Sequence, residues 1–196
     1  MKKKSAKSES NQIELAVKVL QQGGSIAYPT EAVYGLGCDP KNISAVQNLL
    51  KLKHREKEKG LILVAANFEQ LKHYIRPLEK DIEKKLRDSW EASEQAITWL
   101  VPVNETISDY LRGQFNTLAI RVSHHPIVKE LCEKFGGAIV STSANISTQE
   151  AARTEEQVKQ IFDNKINFIV KGETDINAQP SKICDALTNK IIRTSN

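Results

Sequence analysis

The stretch that most constrains this sequence is Leu61-Ile62-Leu63-Val64-Ala65, five apolar residues in a row with no polar alternate. A run this short and unbroken reads as a strand buried on both faces, and such a strand needs helices above and below it. The rest of the chain supplies them. Ile13, Ala16, Val17 and Leu20 recur on one helical face, and Gly23-Gly24 gives a stop. Ser44 with Gln47 predicts a capping box for a helix carrying Ala45, Leu49 and Leu52 and ending near Lys53. Asn67 predicts the cap of a short helix, residues 79–90 a longer one through Ile82 and Leu86, and 107–111 a short one stopped by Gly113. Pro126 opens a helix with Ile127, Leu131 and Phe135 that ends at Gly136-Gly137, and Thr154 with Gln157 opens the last, with Val158, Ile161 and Phe162 on one face.

Between these helices lie further strand patterns at 25–28, 96–101 (closed by Pro102), 117–122, 138–140 and 166–170, and a C-terminal hairpin at 181–187 and 190–193 turns around Thr188-Asn189. Alternation of this kind predicts a sheet covered by helices, of α/β or α+β class. At 196 residues the chain fits one compact domain. Met1 to Ser8 is basic and polar with no apolar run after it, so residues 1–10 are expected to form a flexible basic tail that touches RNA rather than a signal peptide or anchor. No stretch approaches the roughly 20 apolar residues that span a bilayer. The net charge of +4 suits an anionic partner, and three scattered cysteines, Cys38, Cys132 and Cys184, form neither a zinc motif nor a disulfide framework. The cytoplasm is the expected compartment.

Chemistry concentrates in three places. After the strand at 25–28, Pro29 interrupts pairing, and Thr30-Glu31-Ala32-Val33-Tyr34-Gly35-Leu36-Gly37 reads as a polar loop whose glycines permit positive φ or close approach to a ligand; the competing reading is a tight turn. The third glycine of a dinucleotide fingerprint is missing, since Pro40 stands there. Lys53, Arg55 and Lys59 follow a helix end. If that segment is extended, Lys53 and Arg55 share a side and form an anion clamp; otherwise the run is a solvated charged face. Ser141-Thr142-Ser143-Ala144-Asn145 puts four hydrogen-bonding side chains directly after a buried strand, good for gripping phosphate oxygens or a nucleoside, although a helix cap or turn uses the same residues. Thr117 and Arg121 share a strand face, and Arg121 suits a carboxylate or a structural ion pair. His124-His125 lacks a third ligand, and Asp163, Asp175 and Asp185 form no paired-carboxylate site. There is no P-loop and no nucleophile elbow. Any reaction here rests on positioning and charge neutralisation.

Taken together and in this order, Tyr28-Pro29-Thr30-Glu31-Ala32-Val33-Tyr34-Gly35-Leu36-Gly37, Lys53-x-Arg55 with Lys59-Gly60-Leu61-Ile62-Leu63, Leu118-Ala119-Ile120-Arg121-Val122, Ser141-Thr142-Ser143-Ala144-Asn145, and Pro180-Ser181 before Asp185 resemble the YrdC/Sua5 family, most closely its short bacterial form. The resemblance covers about residues 11–194. It implies a YrdC-like α/β domain over 11–196, with a twisted mixed sheet and a large positive concave face. It also implies an enzyme that joins L-threonine, bicarbonate or CO2, and ATP into L-threonylcarbamoyladenylate and pyrophosphate, with Mg2+ assisting. The product would serve the threonylcarbamoyl modification of adenosine-37 in tRNAs reading codons that begin with A, through a transferase complex of the TsaB, TsaD and TsaE kind. By the match, Lys53 and Arg55 would be catalytic and hold phosphates, with Lys59, Thr117, Ser143, Asn145 and Arg193 also on the ATP side. Thr30, Arg121, Ser141 and Ser181 would hold threonine. The segment Trp90-Glu91-Ala92-Ser93-Glu94-Gln95-Ala96 departs from the rigid turn that many relatives carry. The alternatives are a non-catalytic factor that binds tRNA, rRNA or double-stranded RNA, and a carbamoyl transferase with another acceptor.

Overall fold

The structure, a computed structural model, describes residues 2–92, 96–162, 165–175 and 177–194, and the side chains from residue 11 onward within these. The chain opens with helix α1 (Lys2–Gln21). The expected tail at 1–10 lies outside the described side chains, as do Ser93 to Gln95 of the divergent segment and Asp163. Strands β1 (Ile26–Pro29) and β2 (Tyr34–Gly37) follow, then α2 (Ile43–Leu52), β3 (Ile62–Ala65), α3 (Lys80–Ala92), β4 (Ile97–Pro102), α4 (Asp109–Arg112), β5 (Thr117–Val122) and α5 (Pro126–Phe135). Strand β6 (Ile139–Ser143), α6 (Glu155–Phe162), β7 (Phe168–Ile169), β8 (Lys182–Asp185) and β9 (Ile191–Arg193) complete it.

The described strands form one mixed sheet in the order β7-β1-β2-β6-β3-β5-β4-β8-β9. Its centre is the predicted apolar strand: β3 lies between β5 (parallel) and β6 (antiparallel), and Leu63, Val64 and Ala65 are all buried. Helices pack on both sides of it as that run requires. Tyr28, Val64 and Ile139 face α1 and α5, meeting Ile13, Ala16, Leu20, Val128 and Leu131. On the opposite face Leu36, Leu63, Val140 and Ile120 meet Leu49 of α2, Leu86 of α3, Leu111 of α4 and Val158 of α6. The first face also carries Ile62, Ser141 and Arg121, which line a cleft instead of packing under a helix.

Helix ends follow local chemistry. Pro126 sits at the first turn of α5, and Gly136 caps it in the left-handed conformation at φ 81°. Asn67 caps the short 3-10 turn that follows β3 by accepting from the Gln70 amide. One expected cap is corrected. Asn42, not Ser44, caps α2, because its side chain accepts from the Ala45 amide and the helix has already begun at Ile43.

The larger correction concerns the glycine stretch. Tyr34 to Gly37 is not loop but strand β2, which pairs with β1 as a hairpin and on its other edge with β6. Its glycines serve space rather than positive φ. A Cβ on Gly37 would stand 2.7 Å from the Val140 carbonyl oxygen and 2.9 Å from the Tyr28 ring, and one on Gly35 would crowd Thr30 and Tyr28. The polar stretch after β6 is likewise partly strand, since pairing runs on through Thr142 and Ser143.

Candidate active site

The cleft encloses about 340 Å3 and is built where the tight turn between β1 and β2, the end of β6, the middle of β5 and the segment before β8 converge. It brings together Thr30, Arg55, Arg121, Ser141, Ser143, Asn145, Ser181 and Arg193. Most of the residues expected to bind ligand, from six separate parts of the sequence, therefore share one space. Three do not line it. Thr117 begins β5 opposite Pro102, Lys59 is exposed beside Glu56 at 3.1 Å, and Lys53 is buried, so all three fall outside the described lining.

The hydroxyls arrive with their hydrogen bonds partly committed. Thr30 Oγ1 donates to the Val33 carbonyl at 2.7 Å, closing the turn, so toward a ligand it acts as an acceptor. Ser181 Oγ shares a 2.8 Å hydrogen bond with the fully buried Thr98 hydroxyl, and Arg193 Nη2 donates to the Ser181 carbonyl at 2.8 Å. Ser141 contacts the Tyr28 hydroxyl, whose pKa burial raises well above its ordinary value.

Lys53 is not part of a solvated charge run: it is 1% exposed and is the C-terminal cap of α2. The segment is also not extended. His54 turns the chain back at φ 50°, so Lys53 points inward beneath the β6 end while Arg55 reaches the cleft. Lys53 Nζ donates to the Ser143 carbonyl and to Asn145 at its carbonyl (2.7 Å) and side-chain oxygen (3.1 Å). Burial, with Arg55 nearby, pushes its pKa down to about 7. Ser143 Oγ in turn donates to Asn145 Oδ1 at 2.6 Å, and Asn145 Nδ2 to the Gln149 carbonyl at 2.7 Å. Lys53 thus fixes the shape of the turn that presents Ser143 and Asn145. Arg55 donates through Nε and Nη2 to the Gly60 carbonyl at 3.3 and 2.9 Å.

Arg121 is 9% exposed, and its Nη2 stands 3.4 Å from Glu31 Oε2, while its Nε has no hydrogen-bond partner. Ser123 Oγ donates to Glu31 Oε1 at 2.7 Å. Burial raises the Glu31 pKa, but Arg121 and the Ser123 hydroxyl outweigh it and leave the carboxyl below its ordinary range. No cluster of three or more metal-ligating side chains occurs among the described residues, and His124 Nε2 is occupied by the Trp90 carbonyl at 2.6 Å.

A protein-family profile described as "Telomere recombination", that of Sua5, YciO and YrdC, matches residues 18–195. The chain belongs to the Sua5/YciO/YrdC family. Among curated members, a protein named threonylcarbamoyl-AMP synthase from Saccharophagus degradans is 49% identical over 177 residues, covering 90% of this chain and 91% of its own. One of the same name from Pseudoalteromonas translucida is 44% identical over 186 residues, covering 95% and 99%. A solved structure of P. abyssi Sua5 complexed with L-threonine superposes with a TM-score of 0.81 at 30% identity, over 90% of this chain. This chain spans about half the length of that Sua5 protein (51%) but nearly all of the curated relatives. E. coli YciO shares the fold, with a TM-score of 0.76 at 21% identity.

The hydroxyls and cations of this cleft are marked in the sequence, but what holds them is not. Thr98 and Ser123 belong to strands or strand ends far from their partners in sequence, Ser181 and Glu31, and only the sheet order joins them. Gln149 and Gln179 also line the cleft from irregular segments with no pattern to mark them.

Proposed function

We infer that this chain makes L-threonylcarbamoyladenylate and pyrophosphate from L-threonine, bicarbonate or CO2, and ATP. The observation that carries this is near-full-length similarity to proteins named threonylcarbamoyl-AMP synthase, combined with one cleft that gathers an arginine-rich lining and a set of spare hydroxyls. The chemistry needs little else. Threonine's ammonium gives up a proton, and the neutral amine adds to CO2 and releases a second proton to solvent to give a carbamate. A carbamate oxygen attacks the α-phosphorus of ATP, and pyrophosphate leaves with the electron pair of the broken P–O bond. Both reactants are anions, so cations must offset their repulsion and fix the line of approach. Orientation of this kind supplies about 7–11 kcal/mol of barrier reduction, so no protein nucleophile is required.

In this reading Arg121 takes the threonine carboxylate, Ser141 and Ser181 flank it, and Thr30 accepts a hydrogen bond from the substrate. Arg55 takes phosphate oxygens from the cleft wall, and Arg193, Ser143 and Asn145 hold the rest of the nucleotide. Lys53 adds charge from beneath the turn it shapes. Lys59 and Thr117 would act on ATP only from outside the lining described above. Mg2+ fits as part of the ATP substrate, since the described residues offer the cleft one carboxylate and Mg2+ is commonly held by phosphates and few protein ligands. We further propose that residues 1–10 form a basic tail on a domain of 11–196, that the protein works in the cytoplasm, and that its product passes to a TsaB/TsaD/TsaE-type complex acting on tRNA.

The test is product identification. Incubated with ATP, L-threonine and isotope-labelled bicarbonate, the protein should yield an adenylate that carries both threonine and the label. An adenylate lacking threonine would favour a carbamoyl transferase with another acceptor. RNA binding with no adenylate would favour the non-catalytic reading.

A further inference from the structure

The described cleft lining contains three arginines, Arg55, Arg121 and Arg193, and a single carboxylate, Glu31. In a space that receives phosphates, bicarbonate and a carboxylate, a part-buried negative charge paired only with Arg121 at 3.4 Å also suits the one positive group the substrates bring. That group is the α-ammonium of a free amino acid. Glu31 has acceptor capacity to spare. A carboxylate offers about four lone-pair sites. The Ser123 hydroxyl and Glu31's own backbone amide take two, and Oε2 has no hydrogen-bond donor although Arg121 stands 3.4 Å away. Arg121 is short of a partner as well, at Nε.

We propose that Glu31 and Arg121 together form a receptor for an amino-acid zwitterion, with Glu31 taking the ammonium while Arg121 takes the carboxylate. The proposal rests on the threonine-binding reading of the cleft and deepens it. In a zwitterion the two charged groups sit on one carbon, so the receptor must place its own opposite charges side by side, as Glu31 and Arg121 are placed. A divalent cation is a poorer occupant, because Arg121 lies within ion-pair distance of the same oxygen. Ser123 is then a positioning residue that holds the carboxylate toward the cleft, and selection of α-amino acids over other hydroxy acids is a property of Glu31.

The experiment compares equilibrium binding of L-threonine and of 3-hydroxybutyrate, the same carbon chain without the amine, to the full chain with ATP absent. Charge-assisted hydrogen bonds predict that the wild type prefers threonine by about tenfold or more. In Glu31→Gln, with folding verified by an unchanged ATP-induced thermal shift, that preference should fall to about threefold or less while 3-hydroxybutyrate binds at least as well as before. Ser123→Ala, should Glu31→Gln not fold, is expected to lower the preference part of the way. Equal loss of both ligands in Glu31→Gln would reduce Glu31 to a support for Arg121 and overturn the proposal. So would an undiminished preference, or Mg2+ binding to the wild type without nucleotide that Glu31→Gln abolishes. A wild type that binds neither ligand would overturn the threonine reading itself.

Discussion

Replacing Lys53 by alanine tests whether a residue expected to hold phosphate also holds the fold. The structure gives the terms. Nζ donates to three oxygens of Ser143 and Asn145, and the side chain is 1% exposed. Hydrogen bonds from a charged donor contribute about 1.5–3 kcal/mol each in favourable cases, and the buried stem adds about 0.8 kcal/mol per methylene. Against these stands the several kcal/mol it costs to bury an ammonium group. The balance predicts a loss of about 2–4 kcal/mol for Lys53→Ala, which for a chain of this size lowers Tm by about 4–16 °C. Arg55→Ala, which gives up bonds to the single Gly60 carbonyl from a half-buried position, should cost about 1 kcal/mol or less. Both should weaken ATP use. Urea denaturation with matched m-values reads the stability and ATP titration reads the site. If Lys53→Ala proves as stable as the wild type to within about 0.5 kcal/mol, Lys53 does not hold the turn and the account of it is wrong.

Other consequences are direct. Gly37→Ala should destabilise by about 1–3 kcal/mol, since its methyl meets the Val140 carbonyl at 2.7 Å, whereas Gly137→Ala meets nothing and should leave the urea midpoint nearly unchanged. Burial pushes the Lys53 pKa down to about 7 in the fold, against 10.5 in the unfolded chain, so the folded state binds fewer protons in that window. Stability should therefore rise from pH 7 toward 10.5 in the wild type relative to Lys53→Met; a flat difference would mean the surrounding oxygens keep the ammonium at its ordinary pKa. Glu31 is also shifted down, but there the charged form is the one the fold favours, so its contribution is full above pH 4.5 and is lost as pH falls through its lower folded value, an acid limb that Glu31→Gln should flatten. Arg121→Ala should raise the threonine KM by about tenfold or more with little change in the ATP KM, and equal changes in both would contradict its placement.

The elements that were legible in the sequence are those with their own punctuation. Pro126 and Gly136 bound α5 at the expected positions, and β5 spans 117–122 as its alternation predicts. The apolar run at 61–65 required helices on both faces, and both faces have them. The glycines of β2 misled because a Gly-x-Gly looks the same whether it supplies a turn or makes room for the Tyr28 ring packed against it, and only the pairing with β1 and β6 separates the two. The Lys53–Arg55 alternatives were settled by His54, whose left-handed backbone sends one cation inward and the other to the cleft. Partners such as Thr98 for Ser181 lie 83 residues away along the chain, beyond the reach of any local pattern.

The central claim is that threonine, bicarbonate and ATP react in this cleft. Pyrophosphate release from Mg2+ and ATP, followed with bicarbonate and L-threonine, with L-serine in its place, and with no amino acid, addresses it most directly. The account predicts release that requires both bicarbonate and threonine and falls sharply with serine. Release that ignores the amino acid, or no release from a folded protein that binds ATP, would contradict it.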